Sequence, residues 1–128
     1  MQFPEYRPRR VRRSEGIRRL VRETRLSVDN FIYPIFVQEG KGIHAEIAAM
    51  PGQYRWSVDQ LKPLVEQLKT HRIPGVILFG IPDKKDPVAS EAVRADGVVP
   101  RAVKELKGLS PELTVITDVC VCEYTSHG

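Results

Sequence analysis

Two cysteines, Cys120 and Cys122, are the residues of this sequence best suited to chemistry, and one residue separates them. In a strand, positions i and i+2 project from one face, so both thiols would point into the same space. Paired thiolates suit a soft tetrahedral cation such as Zn²⁺, which needs a further ligand from Glu123, His127 or a residue after Gly128. The alternative is two small apolar side chains at a buried strand end, because a lone C-x-C motif is a weak signal. The spacing is also too short for an unstrained disulfide.

Asp118 is the second candidate, since this acid directly follows an apolar run at residues 113–117. Barrel enzymes place catalytic groups at the carboxyl ends of their strands, which makes Asp118 a candidate active-site acid. The alternative is a helix or loop cap. His127, in a turn-like segment, is open to three interpretations: a metal ligand, an acid–base group, or a loop residue, which is the commonest outcome.

Other familiar catalytic patterns do not occur. The sequence contains no G-x-G-x-x-G, Walker A or G-x-S-x-G motif, so nucleotide-binding and α/β-hydrolase functions lose support. Burial in an apolar strand would lower the pKa of a lysine enough for Schiff-base chemistry. No lysine of this sequence interrupts such a strand; the lysines are at positions 41, 62, 69, 84, 85, 104 and 107.

Three apolar runs predict the strands that would carry these residues, at positions 31–37, 76–79 and 113–117. Continuous apolar runs are typical of parallel strands buried on both faces, although Pro34 lacks the N–H that a central strand needs. Residues 38–56, rich in glycine, predict a long loop.

Two amphipathic segments predict helices between these strands. Ser57 and Gln60 have the spacing of a capping box for the first helix, although Pro63 favours a later start. In the second helix Pro100 lies near the start, and Gly108 is the expected stop. The apolar positions of the two helices are 58, 61, 64, 65 and 68, and 102, 103 and 106.

The predicted order is therefore strand, helix, strand, helix, strand, which indicates repeated βαβ units and a parallel sheet. A doubly wound sheet and a (β/α)₈ barrel both fit this order. Neither fold should end on its third strand, so we expect the sequence to be part of a longer chain.

The charge is unevenly distributed. Of the net +4, residues 1–25 carry +6, from nine arginines against three glutamates, which leaves −2 for the rest. Residues 1–13 read as an extended arm, and Ser14 is a fair N-cap for a short helix with Ile17 and Leu20 on one face. The arm indicates a solvated or subunit-docking extension more than a nucleic-acid site. No apolar run is long enough for a transmembrane helix or a secretory signal.

Several longer motifs identify a family. They are Arg-Pro-Arg-Arg at 7–10, Arg-Arg-Leu-Val-Arg-Glu-Thr at 18–24, Ile-Tyr-Pro-Ile-Phe-Val at 32–37, Met-Pro-Gly at 50–52, Gly-Val-Ile-Leu-Phe-Gly-Ile-Pro at 75–82 and Thr-Asp-Val-Cys-Val-Cys-Glu-Tyr-Thr-Ser-His-Gly at 117–128. With these motifs the chain resembles the N-terminal part of the δ-aminolevulinic acid dehydratase, or porphobilinogen synthase, family over nearly its whole length.

The resemblance implies an α/β fold: the first three β/α units of a (β/α)₈ TIM barrel at residues 29–128, preceded by an extended N-terminal arm with a short helix at residues 1–28. It implies a lyase that condenses two 5-aminolevulinate molecules to porphobilinogen in haem biosynthesis, using two Schiff-base lysines. In the zinc-dependent branch, Cys120 and Cys122 match two of three cysteines on a catalytic Zn²⁺. Asp118 matches an active-site aspartate.

The same resemblance places the third cysteine just past Gly128, and both Schiff-base lysines beyond it. We therefore expect the 128-residue polypeptide alone to be inactive, prone to aggregation and a poor zinc binder. We expect the whole enzyme to be a cytoplasmic homo-oligomer, octamer or hexamer, assembled through its arm, without nucleic-acid or membrane partners; a Mg²⁺ site in it stays open. The alternatives are a nucleic-acid- or anion-binding module using the arginine arm, and a non-catalytic docking subunit.

Overall fold

The computed structural model describes residue 5 and residues 9–128 and shows a mixed α/β fold around one five-stranded sheet. The strand order across the sheet is β2-β3-β1-β4-β5. The helices and strands are α1 (Glu15–Leu20), β1 (Ile32–Gln38), β2 (His44–Ile47), β3 (Met50–Trp56), α2 (Leu61–Thr70), β4 (Gly75–Ile81), α3 (Val98–Leu109) and β5 (Thr114–Thr117). Single 3₁₀ turns lie at Arg10–Arg12, Val28–Asn30, Val58–Gln60 and Ser90–Val93.

The three predicted strands are confirmed as β1, β4 and β5, which run parallel and are joined through α2 and α3. β1 and β4 pair residue for residue, from Ile32 with Gly75 to Gln38 with Ile81. In both strands fully buried residues alternate with half-buried ones, so only one face of the sheet is fully covered among the described residues. Pro34 is tolerated because β3 pairs with β1 only at Phe36 and Val37, so Pro34 has a strand neighbour on one side only.

The loop predicted for residues 38–56 is wrong, since most of it forms the antiparallel hairpin β2–β3. One of the glycines that suggested a loop, Gly52, lies inside β3. It adopts φ +80° and donates its N–H to a Glu46 carboxylate oxygen at 2.8 Å. The cross-strand aromatic rings stabilise the pairing. The His44 ring stacks on Trp56 with centroids 4.1 Å apart, and Tyr54 lies against the same His44 ring.

The predicted capping box at Ser57 does not form. The Ser57 hydroxyl instead accepts the N–H of Ile43 at 2.8 Å, which ties the start of the hairpin to the end of β3. A 3₁₀ turn follows, and α2 begins at Leu61, so Pro63 lies in its first turn, where a missing N–H costs nothing. The predicted stop at Gly108 is also displaced, because α3 continues through Leu109.

The core lies between these two helices and the sheet. Its fully buried side chains come from the strands β1 and β4 and from one face of each helix: Ile35, Val37, Val76, Leu78, Leu61, Val65 and Leu106. The predicted apolar faces of α2 and α3 are therefore the buried ones. Among the described residues, no helix has both the length and the apolar character needed to cross a membrane.

The described residues of the arm contribute nothing to this core. Ser14 caps α1 as predicted, accepting the N–H of Ile17 at 3.3 Å, yet no residue of α1 is buried. The extended conformation predicted for residues 1–13 is wrong at Arg10–Arg12, which form a 3₁₀ turn. Residues 1–4 and 6–8 lie outside the described part of the chain, and the boundary predicted at residue 28 stays a prediction.

Leu106 provides a test of this core. It is fully buried on α3, whereas Leu20 on α1 is 82% exposed. We expect Leu106→Ala to lower the free energy of unfolding by roughly 2–5 kcal/mol, because it removes buried methyl groups and leaves a cavity. Leu20→Ala should change it by less than about 0.5 kcal/mol. Urea denaturation measures both, and equal effects of the two substitutions would contradict this assignment of the core.

Candidate metal centre at the carboxyl end of the sheet

The candidate residues lie immediately after β5, and the segment that carries them is not a strand. β5 ends at Thr117, the Asp118 N–H donates to the Leu78 carbonyl at 3.2 Å, and a turn begins at Cys122. The strand geometry predicted for Cys120 and Cys122 is therefore wrong. The short ladder with β4 stops after four residue pairs, so the backbone is free to turn over the end of the sheet.

The turn nevertheless brings the two thiols together, as the sequence predicted. The Sγ atoms of Cys120 and Cys122 are 2.8 Å apart, and both residues are exposed and free of disulfides. A Glu123 carboxylate oxygen completes a group of three donor atoms that all lie within 4.8 Å of one another. Within the described residues, neither His127 nor Asp118 joins this group.

The donor set fits a soft divalent cation. Hydrogen bonding to Cys120 is the main cause that raises the pKa of the Cys122 thiol, followed by burial and the neighbouring charges of Cys120 and Glu123. The Cys122 thiol therefore favours its protonated form until a cation binds. Two sulfurs on a tetrahedral ion with 2.3 Å bonds stand about 3.8 Å apart, so a small rotation of these exposed side chains would accommodate one.

A cavity of about 570 Å³ opens beside Cys120. Leu78 and Gly80 of β4 and Val103 of α3 contribute apolar lining, while Asp118 and Glu123 contribute carboxylates. An apolar pocket with a few polar groups and a metal-ligating pair is the usual form of a small-molecule site. Asp118 thus lines a cavity on the carboxyl side of the strands, and its role as an active-site acid stays a prediction.

Asp86 holds the cysteine-bearing segment in place, and the sequence analysis missed it. Its backbone N–H donates to the Tyr124 carbonyl at 3.3 Å, and its carbonyl accepts the Ser126 N–H at 3.1 Å. Its carboxylate accepts the N–H groups of Val88 and Ser90 at 2.9 and 3.1 Å. The Asp-Pro-Val sequence at 86–88 carried the signal, because an aspartate often accepts the N–H two residues on.

Gly80 is the second residue that sequence reasoning missed. A Cβ at this position of β4 would collide with the Tyr124 hydroxyl and would lie 2.7 Å from Val99 Cγ2. Burial, then the charges of Glu123 and Asp118, raise the pKa of Tyr124, so its phenol stays neutral against the strand. The missing side chain of Gly80 therefore leaves the space that the Tyr124 ring occupies, two residues after Cys122.

Comparison with known proteins gives consistent matches. The family model described as Delta-aminolevulinic acid dehydratase matches residues 5–128. The Delta-aminolevulinic acid dehydratase of Halalkalibacterium halodurans is 47% identical over 122 residues, covering 95% of this chain and 37% of that protein. The protein of the same name from Ruminiclostridium josui is 48% identical over 122 residues, covering 95% of this chain and 60% of that protein.

A solved structure agrees with the sequence matches. The crystal structure of delta-aminolevulinic acid dehydratase (porphobilinogen synthase) from Toxoplasma gondii ME49, in complex with the reaction product porphobilinogen, has a TM-score of 0.84 and 34% identity. The match covers 98% of this chain and 35% of that chain. The chain thus spans between about a third and three fifths of the length of these three relatives.

The close contact between Gly80 and Tyr124 predicts that adding one methyl group at position 80 disturbs the fold. We expect Gly80→Ala to displace Tyr124, to destabilise the fold by about 1–3 kcal/mol through overpacking and to weaken metal binding at the adjacent thiols. Gly108→Ala is the matched control, since nothing lies within 4 Å of its Cβ position in α3. It should raise stability by about 0.5–1 kcal/mol. Urea denaturation and a cobalt titration of both variants test this, and a tolerated Gly80→Ala would be inconsistent with this contact.

Asp86 predicts a pH dependence. Hydrogen bonds from Ser90, the largest cause, and from the Val88 and Ala89 N–H groups hold the pKa of this carboxyl below its ordinary 3.8. Because the folded-state pKa is the lower one, the stabilisation is complete above pH 3.8 and is lost as the pH falls through the folded-state value. The melting temperature of Asp86→Asn should therefore fall less steeply than that of the wild type below about pH 4. Asp83→Asn, in the same loop, is the control and should follow the wild type.

Proposed function

The chain belongs to the delta-aminolevulinic acid dehydratase family, and from this premise we propose that the whole protein is a porphobilinogen synthase, a lyase that condenses two 5-aminolevulinate molecules to porphobilinogen in haem biosynthesis. The observation that carries the proposal is the Cys120–Cys122 thiol pair, 2.8 Å apart beside a cavity at the carboxyl side of parallel strands. The related Toxoplasma protein, with a TM-score of 0.84, holds porphobilinogen in its crystal structure.

For the fold, we propose that β1, β4 and β5 are the first three strands of a (β/α)₈ barrel at residues 29–128. Their parallel order, the crossovers through α2 and α3, and the position of the thiols after the third strand all support this. β2 and β3 are then an added hairpin that extends the sheet beyond β1.

The proposed cofactor is Zn²⁺, held by Cys120 and Cys122 together with a third cysteine expected just past Gly128. When bound, this ion supplies Lewis-acid chemistry for the second substrate. The exposed Asp118 carboxylate at the cavity attracts and orients the ammonium group of 5-aminolevulinate. The neutral Tyr124 closes the end of β4 behind these residues. Whether the whole enzyme also takes Mg²⁺ does not affect these roles.

The two Schiff-base lysines of the proposed reaction are not supplied by the described residues. All seven lysines lie in helices or loops, outside the strands. A polypeptide limited to residues 1–128 should therefore show no dehydratase activity by itself, because neither substrate can be held covalently.

The arm fits a role in assembly. Leu20 and Leu26 are 82% and 78% exposed, and no residue of α1 is buried. We propose that residues 1–28 dock on a neighbouring copy in a cytoplasmic homo-octamer or hexamer, where these side chains leave water. The arginines of the arm then serve contacts between subunits, without a nucleic-acid or membrane partner.

The proposed function is tested with the whole protein encoded by the gene, loaded with zinc and supplied with 5-aminolevulinate. We expect porphobilinogen to form, and Cys120→Ser or Cys122→Ser to lower the rate by at least about 10- to 100-fold, the loss usual even for outer-shell metal contacts. Glu105→Gln, an exposed acid on α3, is the control and should keep the wild-type rate. Folded, zinc-loaded protein that makes no porphobilinogen would refute the proposal.

A further inference from the structure

The sheet has a second face, opposite the core, that no helix of the described residues covers. Val37 and Trp56 pair in register, and both belong to the core beneath α2 and α3. Because successive side chains of a strand point to opposite faces, the preceding pair, Phe36 and Arg55, lies on the second face. Phe36 also pairs with Phe79 of β4, and the two rings stack with centroids 5.4 Å apart.

In the two central strands the second face is apolar as far as Gln38, the last residue of β1. It includes the half-buried side chains of Pro34, Phe36, Ile77 and Phe79. Two polar atoms of this face are nevertheless buried without a hydrogen-bond partner, Gln38 Oε1 and Arg55 Nε. Folded proteins rarely leave a buried donor or acceptor unsatisfied, because the lost contacts with water are costly. Both atoms therefore need partners from outside the described residues.

The charge of Arg55 leads to the same conclusion. None of the ion pairs among the described residues includes Arg55. The residues outside the described part, 1–4 and 6–8, contain no aspartate or glutamate. A guanidinium group cannot escape burial by losing its proton, since its pKa is above 12. A carboxylate that neutralises Arg55 must therefore come from beyond this sequence.

The part of the protein that would cover the second face follows from the proposed barrel. Both crossovers place their helices on the core side of the sheet, which becomes the outside of the barrel. The second face then lines the barrel interior, where side chains from all the strands pack together. The chain spans 37% of the Halalkalibacterium relative and 35% of the Toxoplasma chain, so these relatives have the length to complete a barrel.

We propose that chain following residue 128 covers the second face in the whole protein, and that a carboxylate of this covering chain pairs with Arg55. The inference rests on the barrel of the proposed function. It goes beyond that barrel by assigning a buried ion pair that joins the added hairpin β2–β3 to the later part of the chain. The planar guanidinium can donate to both oxygens of a carboxylate, which makes such a pair strong and directional. The covering chain also supplies the donor that Gln38 Oε1 lacks.

The test is the direction in which Arg55→Met changes the stability of the whole protein. Methionine keeps an apolar side chain at this position and removes the charge. If the ion pair exists, its carboxylate is left buried and unpaired, and we expect the equilibrium constant for unfolding to rise about 100-fold or more. Arg55→Lys keeps a positive charge and should recover part of this loss. Urea denaturation at one protein concentration compares the variants.

Lys62→Met is the matched control, because Lys62 is exposed on α2 and belongs to none of the described ion pairs. It should change the unfolding constant by no more than about twofold. If Arg55 has no partner, Arg55→Met removes a buried charge and leaves the protein as stable as the wild type or more stable. That result would overturn the ion pair.

A second measurement needs no substitution and decides the matter if Arg55→Met does not fold. An arginine-selective dicarbonyl reagent is added to the folded wild-type whole protein, and mass spectrometry locates the modified arginines. We expect Arg55 to react only after unfolding in urea, whereas Arg72, exposed after α2, reacts in the folded protein. Modification of Arg55 in the folded protein at the rate of Arg72 would show that the second face is uncovered.

Porphobilinogen formation, measured on the same samples, separates this inference from the proposed function. If the wild type forms porphobilinogen and Arg55→Met keeps its stability, the ion pair fails and the proposed function stands. If Arg55→Met keeps its stability but raises the KM for 5-aminolevulinate by about tenfold or more, the carboxylate is that of the substrate and the inference fails. If the zinc-loaded wild type forms no porphobilinogen while Arg55→Met loses stability, the proposed function fails and the ion pair stands.

Discussion

The parallel pairing of β1 with β4 is the contact on which the rest of the structure depends. Seven consecutive residue pairs join these two strands. They lie inside the sheet, and the core side chains of α2 and α3 pack against them. Because parallel strands point the same way, the segments that follow β4 and β5 emerge at one edge of the sheet. Asp86 and Tyr124 meet there through their backbones, although 38 positions separate them in the sequence.

The strands were predictable because each is a continuous run of mainly apolar residues, although in β1 and β4 the fully buried residues alternate with half-buried ones. The hairpin β2–β3 was not, since its half-exposed strands carry glycine and proline at positions that ordinarily end a strand. Its stability comes from rings of His44, Tyr54 and Trp56 that meet only after the chain has folded back. The capping box at Ser57 failed for a related reason: a backbone N–H distant in sequence competed for the hydroxyl.

At the candidate site, the residues with metal-binding or acid chemistry could be predicted from the sequence. The contacts that hold them in position could not. Cys120, Cys122 and Asp118 could be selected from their chemistry and from the strand before them. The turn that joins the thiols depends on the backbone of Asp86 and on the empty space at Gly80, and both belong to other parts of the sequence. A sequence pattern identifies donors well because donor chemistry is local, whereas the contacts that orient them are not.

Trp56 gives the hairpin an optical signal of its own. It is the sole tryptophan of the sequence, 6% exposed and stacked under the His44 ring. Three strand spacings, about 14 Å, separate β3 from β5 across the sheet. Trp56 fluorescence therefore reports on the hairpin at one side of the sheet, while the absorption of cobalt bound at Cys120 and Cys122 reports on β5 at the other. If the two signals change at the same denaturant concentration, both sides of the sheet unfold together. If they change at different concentrations, an intermediate exists in which only one side is folded.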